Sequence, residues 1–278
     1  MYKLVSDSSC DMYTMGNIPF NAVPLKISTD HHSWTDDENM NIHEMLDVLE
    51  NYKGRSYTSC PNVDDWMNAF EGGDPVYAVT ITSGLSGSYN SAMTARDIYL
   101  EAHPEAKIHV FDSLSTGPHM RLILEKIAEL AEQGLPFEEV VEKVNEYKKH
   151  VHLFYALHSV HNLAQNGRVS NVVAAAVGVI KIRIFGTASP EGTLQPISKV
   201  RGDKKLIGEY MKALESVKCK GGKFRITSAE NPELAEMLKN KILEKYPDAD
   251  ITVGKAGGLD SFYGERHSTM LAVEDGLE

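Results

Sequence analysis

The chain has 278 residues, of which 42% are hydrophobic and 24% are charged, and its formal net charge at pH 7 is −11. This length accommodates one large or two ordinary domains, and the composition is normal for a globular protein. The acidic balance disfavours nucleic-acid binding, because phosphate recognition needs a basic face. The three cysteines, Cys10, Cys60 and Cys219, are isolated and indicate neither a disulfide framework nor a zinc site. With no recognisable signal peptide or long apolar span, a cytoplasmic protein is expected.

The first half of the chain alternates predicted strands and helices, which is typical of a mostly parallel α/β sheet. Residues 28–41 are polar and are predicted to be irregular, and residues 58–61 (Thr-Ser-Cys-Pro) are predicted to open a helix that runs to Phe70. The other predicted elements are strands 4–6, 20–27, 76–79 and 108–111 and helices 42–52, 90–100, 118–132 and 136–149. Polar turns after the first, third and fourth of these strands are expected to meet at the carboxyl edge of the sheet, where ligands usually bind.

The pattern changes near residue 150, so the sequence predicts two domains, residues 1–150 and residues 151–278. Residues 169–180 are almost uniformly apolar but too short to span a bilayer, and they are predicted to form a buried helix. Residues 181–188 and 194–199 flank a Pro-Glu-Gly turn and predict a β-hairpin. The remaining predicted elements are strands 153–157, 224–227 and 251–253, the last of these being the final strand, and helices 160–165, 204–217 and 232–246.

Residues 81–89 (Ile-Thr-Ser-Gly-Leu-Ser-Gly-Ser-Tyr) form a hydroxyl- and glycine-rich turn between a predicted strand and a predicted helix. The first backbone N–H groups of a helix lack intrahelical partners, and the helix dipole favours negative charge there. Together with serine hydroxyls and glycines that allow close approach, the turn predicts an anion-binding site. A tight connection with polar caps explains the same residues equally well.

Sequence signals for catalysis are weak. The serine-hydrolase elbow G-x-S-x-G is not matched, because Gly87 stands one position too early, and neither a Walker A motif nor G-x-G-x-x-G is present. A hydrolase or transferase that uses Ser83 or Ser86 therefore remains an alternative without a positioned base.

Two other patterns have a chemical and a structural interpretation. The histidines at positions 150, 152, 158 and 161 suggest a metal, but no carboxylate or cysteine cluster supports them, so surface histidines are favoured. Asp7 and Asp112 follow predicted strands and form either an acid–base pair or turn caps, and capping is the commoner role.

Seven short motifs resemble, in their order and spacing, the motifs of the DegV family. Each motif alone is modest, but the series covers nearly the whole chain and is specific as a set. The matching stretches are residues 7–11 (Asp-Ser-Ser-Cys-Asp), 58–61, 82–92, 112–113, 166–170 (Asn-Gly-Arg-Val-Ser), 181–183 (Lys-Ile-Arg) and 199–205.

The resemblance implies a two-domain α/β fold, with a mostly parallel N-terminal sheet flanked by helices and a C-terminal α/β domain with a mixed sheet. It also implies a protein that holds one long-chain fatty acid between its domains, without catalytic residues, cofactor or metal of its own. In the family pattern, the positions that match Thr58 and Ser83 hold the carboxylate. Ser59, Gly84, Ser86 and Gly87 are the expected neighbours, and residues 169–180 are expected to line the slot for the tail.

The family includes the binding subunits of bacterial fatty acid kinase, in which a separate, dihydroxyacetone-kinase-like subunit phosphorylates the bound carboxylate. By resemblance, Arg168 and Arg201 are expected to serve phosphoryl transfer at the surface that meets this partner, rather than to bind the lipid head. An ordinary surface ion pair is the alternative role for each arginine. A lipid carrier or sensor without a kinase partner is the alternative function.

The chain departs from the family pattern near its C-terminus. The family commonly carries a T-H-x-G-P-G-like motif there, whose histidine lies near the carboxylate, whereas residues 257–267 contain no G-P-G. Either Tyr263 or His267 is expected to take the place of that histidine, and His267 is included in the expected carboxylate site. Cys60 and Asn62 also stand where glutamine and serine are usual.

Overall fold

The computed structural model describes residues 2–169 and 182–276, which form two α/β domains with separate sheets. The N-terminal sheet has four parallel strands in the order β2-β1-β6-β7. These strands are β1 (Lys3–Asp7), β2 (Phe20–Val23), β6 (Val76–Thr80) and β7 (Ile108–Asp112). All residues of β6 are buried, as expected for a parallel strand covered on both faces. The predicted parallel sheet is confirmed.

Helices cover both faces of this sheet. One face packs against α2 (Val63–Phe70) and α3 (Ser88–Ala102), with Trp66 fully buried between them and the sheet. The other face packs against α4 (Pro118–Glu132) and α5 (Phe137–Tyr147). The bounds of α4 are those predicted. Pro118 can occupy the first helical position because the N–H that proline lacks would have no intrahelical partner there.

A small antiparallel sheet, in the order β4-β3-β5, lies beside the parallel one and is joined to α1 (Ile42–Asn51). Its strands are β3 (Lys26–Ser28), β4 (Ser33–Thr35) and β5 (Tyr57–Ser59). The prediction of one strand over residues 20–27 was wrong, because Pro24 has no N–H to continue a ladder and the chain changes sheets there. The prediction of an irregular segment over residues 28–41 missed β4.

The helix predicted to open at residues 58–61 begins only at Val63. Pro61 disfavours helical backbone at the preceding residue, so Thr58 and Ser59 belong to β5 instead. The helix is capped by Asn62, whose Oδ1 accepts the N–H of Asp65 at 3.0 Å, while Asp65 accepts the N–H of Asn62 at 2.9 Å.

The C-terminal domain is built on a six-stranded mixed sheet in the order β10-β9-β8-β13-β11-β12, in which only β11 and β12 pair in parallel. The strands are β8 (Val151–Leu157), β9 (Ile182–Ala188), β10 (Leu194–Arg201), β11 (Lys223–Ser228), β12 (Asp250–Lys255) and β13 (Thr269–Glu274). The described helices are α6 (His161–Gln165), α7 (Asp203–Ser216), α8 (Pro232–Lys245) and α9 (Gly258–Gly264).

The predicted hairpin of β9 and β10 is confirmed. The expectation that the final strand lies at 251–253 was wrong, because β13 follows it in the chain and pairs between β8 and β11 at the centre of the sheet. The helix predicted over residues 169–180 lies, beyond residue 169, outside the described residues.

The two domains are joined by α4 and α9. Every strand of the mixed sheet comes from Val151 onward, and the boundary at residue 150 stays a prediction. Leu122 of α4 packs into the core on one face of that sheet, and Arg225 of β11 donates to Glu125 of α4 at 2.7 Å. In the reverse direction, Leu259 of α9 packs into the core of the N-terminal domain.

Two carboxyl groups of the N-terminal domain hold the start of α9. Asp36 accepts the N–H groups of Gly258 at 2.8 Å and Leu259 at 3.0 Å, one on each oxygen. Asp11 accepts the N–H of Gly257 at 2.6 Å. The N–H groups that a helix leaves without intrahelical partners are therefore satisfied here by residues more than 200 positions away.

The second oxygen of Asp11 faces the second oxygen of Asp260 in α9. A Cβ added at Gly117 would lie 3.2 Å from the first oxygen and 2.7 Å from the second, and neither oxygen has a hydrogen-bond partner of good geometry among the described residues, although the Thr227 hydroxyl lies close enough to Asp11 to lower its pKa. Burial, followed by the nearby charge of Asp36, raises the pKa of Asp11 to about 7. Burial, and then the charge of Asp11, also raises the pKa of Asp260. This arrangement predicts that the two carboxyls share a proton, which would supply the missing hydrogen bond.

The raised pKa of Asp11 makes the free energy of unfolding depend on pH in a defined direction. The unfolded chain releases this proton near pH 3.8, whereas the folded chain holds it to about pH 7. The contribution of this proton to the free energy of unfolding is fully present below pH 3.8 and is lost as the pH rises through the folded-state pKa of about 7. Asparagine cannot titrate, and its amide can donate to Asp260. We expect Asp11→Asn to be more stable than the wild type at pH 8, by on the order of 2 kcal/mol, but not at pH 4.

Thermal midpoints measured at intervals from pH 4 to pH 8 test this expectation. Asp97→Asn is the control, because Asp97 is 63% exposed on α3 and, within the described part of the chain, its ion pair is with the adjacent Arg96. A difference between Asp11→Asn and the wild type that stays constant over the whole pH range would contradict the shared proton.

Candidate functional site

A cavity of about 290 Å³ lies between the two domains. The C-terminal sheet contributes an apolar wall, formed mainly by Leu153, Tyr155, Leu157 and Met270. The loops of the N-terminal domain contribute hydroxyl groups, from Thr58, Ser59, Thr82, Ser86, Ser115 and Thr116. The cavity therefore has one apolar wall and one wall of hydrogen-bonding groups, which suits a ligand with a long apolar body and a polar end.

Two polar segments meet at the hydrogen-bonding wall. Thr58 and Ser59 come from β5, and Ser86 comes from the turn before α3. A Cβ added at Gly87 would lie only 3.3 Å from Cys60 Sγ, which shows how closely the segments approach. The structure thus brings Thr58, Ser59 and Ser86 to the same wall of the cavity, and their role in binding a carboxylate stays a prediction.

The turn before α3 is held by a buried carboxyl. Asp7 accepts the hydroxyl of Ser88 at 2.6 Å and the N–H of Ile81 at 2.9 Å, and it also accepts the hydroxyl of Ser9. Burial raises its pKa to about 6. Asp112 likewise accepts backbone N–H groups, from Ser83 at 3.1 Å and from residue 114 at 3.0 Å. Both carboxyls act as turn caps here.

Tyr263 of α9 completes the hydroxyl cluster. Its Oη lies 2.7 Å from Oγ1 of Thr58, and its side chain lines the cavity. Burial raises the pKa of Tyr263, so the phenol stays neutral and able to donate a hydrogen bond at physiological pH. Sequence analysis named Tyr263 only as one of two substitutes for the family histidine.

His267, the other substitute, lies elsewhere. It is exposed, has a positive φ of 71°, and its ring sits 5.7 Å from the ring of His158. It is not among the described residues of the cavity wall. The chain therefore presents a phenol, rather than an imidazole, to the hydroxyl cluster.

Ser83 and Gly84 lie on the outer side of the Ser86 turn. Ser83 is exposed, and a Cβ added at Gly84 would lie 2.8 Å from the carbonyl oxygen of Glu191 in the β9–β10 hairpin. Thr82 lines the cavity instead. Sequence reasoning did not single out Thr82, although its place directly after the buried Ile81 was the available signal.

The two predicted arginines lie apart. Arg168 lines the cavity, donates to the carbonyl groups of Leu85 at 3.2 Å and of Asn166 at 2.6 Å, and places its guanidinium 5.8 Å from the centre of the Tyr263 ring. Arg201 is exposed at the end of β10, outside the described cavity wall. The sequence expectation had placed both at one partner-facing surface.

The electrostatics of the cavity favour an anion. Among the described wall residues the only permanent cation is Arg168, and the only carboxyl is that of Asp260, whose pKa burial raises and which therefore opposes an anion less than an ordinary carboxylate would. No histidine belongs to the described wall, so no imidazole base faces Ser86. Within the described residues there is also no group of three or more metal-ligating side chains, and no helix there is long and apolar enough to cross a membrane.

Sequence comparisons match this chain over almost its entire length. The profile of the family described as "Uncharacterised protein, DegV family" matches residues 1–264. A DegV domain-containing protein of Streptococcus pneumoniae (strain ATCC BAA-255 / R6) is 39% identical over 277 residues, which cover 98% of this chain and 99% of that protein.

Solved structures show the same fold. A DegV family protein from Eubacterium eligens, loaded with heptadecanoic acid, is 50% identical with a TM-score of 0.97, and the match covers 99% of both chains. The Streptococcus pneumoniae fatty acid kinase (Fak) B3 protein, loaded with linoleic acid, is 38% identical with a TM-score of 0.96, again over 99% of both chains. With a family profile that spans nearly all of its residues and close relatives that it covers almost completely, this chain belongs to the DegV family.

Proposed function

We propose that this protein binds one long-chain fatty acid in the interdomain cavity and presents its carboxylate to a partner kinase, which forms an acyl phosphate. The observation that carries the proposal is the division of the cavity into a hydroxyl wall with a single cation and an apolar wall from the C-terminal sheet. The two solved DegV structures loaded with heptadecanoic and linoleic acid support it.

The carboxylate is placed at the hydroxyl cluster. Thr58, Ser59, Ser86 and Tyr263 offer donors, and Arg168 supplies positive charge beside them. Hydrogen bonds to a charged group are shorter and stronger than neutral ones. Ser83, Gly84 and His267 are the other residues predicted from sequence to bind the carboxylate. Because they lie outside the described cavity wall, we expect them to contribute less to carboxylate binding.

The acyl chain lies against the apolar wall. Leu153, Leu157 and Met270 project from neighbouring strands into the cavity, and all three are nearly inaccessible to bulk water. Each buried methylene contributes about 0.8 kcal/mol, so a long chain supplies most of the affinity.

A cytoplasmic location belongs to this proposal. All three cysteines are free thiols, as expected in a reducing compartment. A kinase partner also needs ATP, which the cytoplasm provides. The protein itself needs no cofactor or metal for the proposed role.

The purified protein is expected to carry a fatty acid of 14 to 18 carbons. Denaturing extraction followed by mass spectrometry should yield about one acyl chain per protein molecule. A protein that yields no acyl chain and takes up no added fatty acid would overturn the proposal. Recovery of a hydrolysed ester product instead would favour the serine-dependent hydrolase.

Thr58→Val is expected to weaken fatty-acid binding by about 10- to 100-fold, because it removes a donor to a charged group while keeping the shape of the side chain. Ser83→Ala is the matched comparison from the motif. The family pattern predicts a similar loss for Ser83→Ala, whereas the exposed position of Ser83 predicts a much smaller one.

Affinities from titration with a fluorescent fatty acid, together with thermal midpoints, separate binding from capping. If Thr58→Val loses stability but keeps its affinity, Thr58 serves only the structure of β5. If Ser83→Ala loses as much affinity as Thr58→Val, the turn changes its arrangement when the ligand binds.

Arg168 and Arg201 are the proposed contacts for phosphoryl transfer. Arg201→Ala is expected to keep normal lipid loading and to lower the rate of acyl-phosphate formation, with a fatty acid kinase subunit and ATP, by about tenfold, which is the loss of roughly 1.4 kcal/mol. Arg168→Ala should lower both loading and rate, because its guanidinium lies at the cavity. Normal rates from loaded Arg201→Ala would reject its role at the partner and favour a carrier or sensor.

A further inference from the structure

Tyr155 and Gly186 face each other directly across β8 and β9. Directly opposed residues of an antiparallel pair project to the same side of a sheet. Since Tyr155 lines the cavity, position 186 also faces the cavity side. Tyr155 is the largest side chain on this part of the wall, and it is 3% exposed.

The tyrosine ring lies across the space that a side chain at position 186 would fill. A Cβ added at Gly186 would collide with Oη and Cζ of Tyr155 and would lie 2.5 Å from the carbonyl oxygen of Gln195 in β10. The ring therefore leans sideways over β9 toward β10. Glycine in the interior of a strand marks such close approaches.

The backbone torsion angles do not require glycine at this position, although the Gln195 carbonyl oxygen leaves little room for a Cβ. Gly186 is absent from the described glycines with positive φ. It pairs with Tyr155 of β8 and with Pro196 of β10, and the register of β10 shifts between Pro196 and Ser198. Its contribution is therefore space, not conformational freedom. In contrast, Gly192 at the tip of the same hairpin has a φ of 74°.

No hydrogen bond holds the ring in place. Oη of Tyr155 is buried and has no partner among the described residues, although a buried tyrosine hydroxyl usually finds one. The position of the Tyr155 ring is thus set by steric packing, and this packing is possible because residue 186 is a glycine.

We propose that Gly186 and Tyr155 together set how long an acyl chain the cavity accepts. Gly186 provides the space into which the Tyr155 ring folds, and this keeps the ring flat against the sheet and out of the cavity. A side chain at position 186 turns the ring into the volume that the end of a long tail needs. The inference rests on the proposed fatty-acid function and deepens it.

The test compares binding of 14-, 16- and 18-carbon fatty acids to the wild type and to Gly186→Ala, by displacement of a fluorescent fatty acid. Each methylene that is excluded from apolar contact weakens binding by about fourfold. Gly186→Ala is expected to lose at least tenfold in affinity for the 18-carbon acid while keeping most of its affinity for the 14-carbon acid. Gly208→Ala is the matched control, because a Cβ there meets nothing within 4 Å.

A second substitution distinguishes a filled cavity from a damaged strand. In Gly186→Ala/Tyr155→Leu the smaller side chain no longer needs the space over β9, so the preference for long chains should return, while any loss caused by the contact with the Gln195 carbonyl oxygen affects all chain lengths equally. Tyr155→Leu alone enlarges the cavity and should shift the preference toward longer chains, a measurement that does not depend on the folding of Gly186→Ala. Equal losses for all chain lengths in Gly186→Ala, with no rescue and no shift in Tyr155→Leu, would overturn this inference. A wild type that binds no fatty acid would instead overturn the proposed function.

Discussion

The docking of α9 onto the N-terminal domain is the contact on which the rest of the site depends. A helix of seven residues is too short to be stable alone in water, since helix nucleation is costly. It forms because Asp36 and Asp11 accept its first N–H groups, while Leu259 packs into the core below. The same helix presents Tyr263 to Thr58. The hydroxyl cluster therefore exists only when the last part of the chain returns to the first.

The site and the docking of α9 bury carboxyl groups in a chain whose formal net charge is already −11. Burial of an ionised carboxylate is costly, and the raised pKa values of Asp7, Asp11, Asp36 and Asp260 express that cost. Each of these carboxyl groups accepts hydrogen bonds from backbone N–H groups or hydroxyl groups that would otherwise lack a partner. Asp7 fixes the turn that carries Ser86, and Asp36 fixes the helix that carries Tyr263. The donors of the site are thus held in place before a ligand arrives, which limits the entropy lost on binding.

Local features of the fold were predictable from sequence, and long-range features were not. The bounds of α4 follow from Pro118 and from apolar periodicity, both of which are visible within one segment. β13 was missed although most of it is buried, because a short apolar run does not reveal that it pairs with strands more than 40 and more than 110 residues away. The start of α2 was misplaced because residues 58–61 were taken as its opening, whereas the Asn62–Asp65 capping box was the better signal.

The candidate site shows the same division. The motif around Ser86 predicted hydroxyls at a helix N-terminus, and the structure places them at a cavity. Motif spacing does not reveal which residues of a tight turn point inward, so it singled out Ser83 and passed over Thr82. The choice between Tyr263 and His267 depended on how α9 packs against β5, which is a contact across more than 200 residues.

The two walls of the cavity come from different domains, and this separates two properties of the proposed ligand. The loops of the N-terminal domain and α9 recognise the charged end, and the face of the mixed sheet accommodates the chain. Substitutions on one wall are therefore expected to act on head-group affinity and those on the other on chain selection, with little coupling between distant positions. A fatty acid bound across both walls would add contacts between the domains, and by mass action it would stabilise the folded protein by an amount that grows with the logarithm of its concentration over its dissociation constant. The ligand thereby becomes part of the interface that α4 and α9 form on their own.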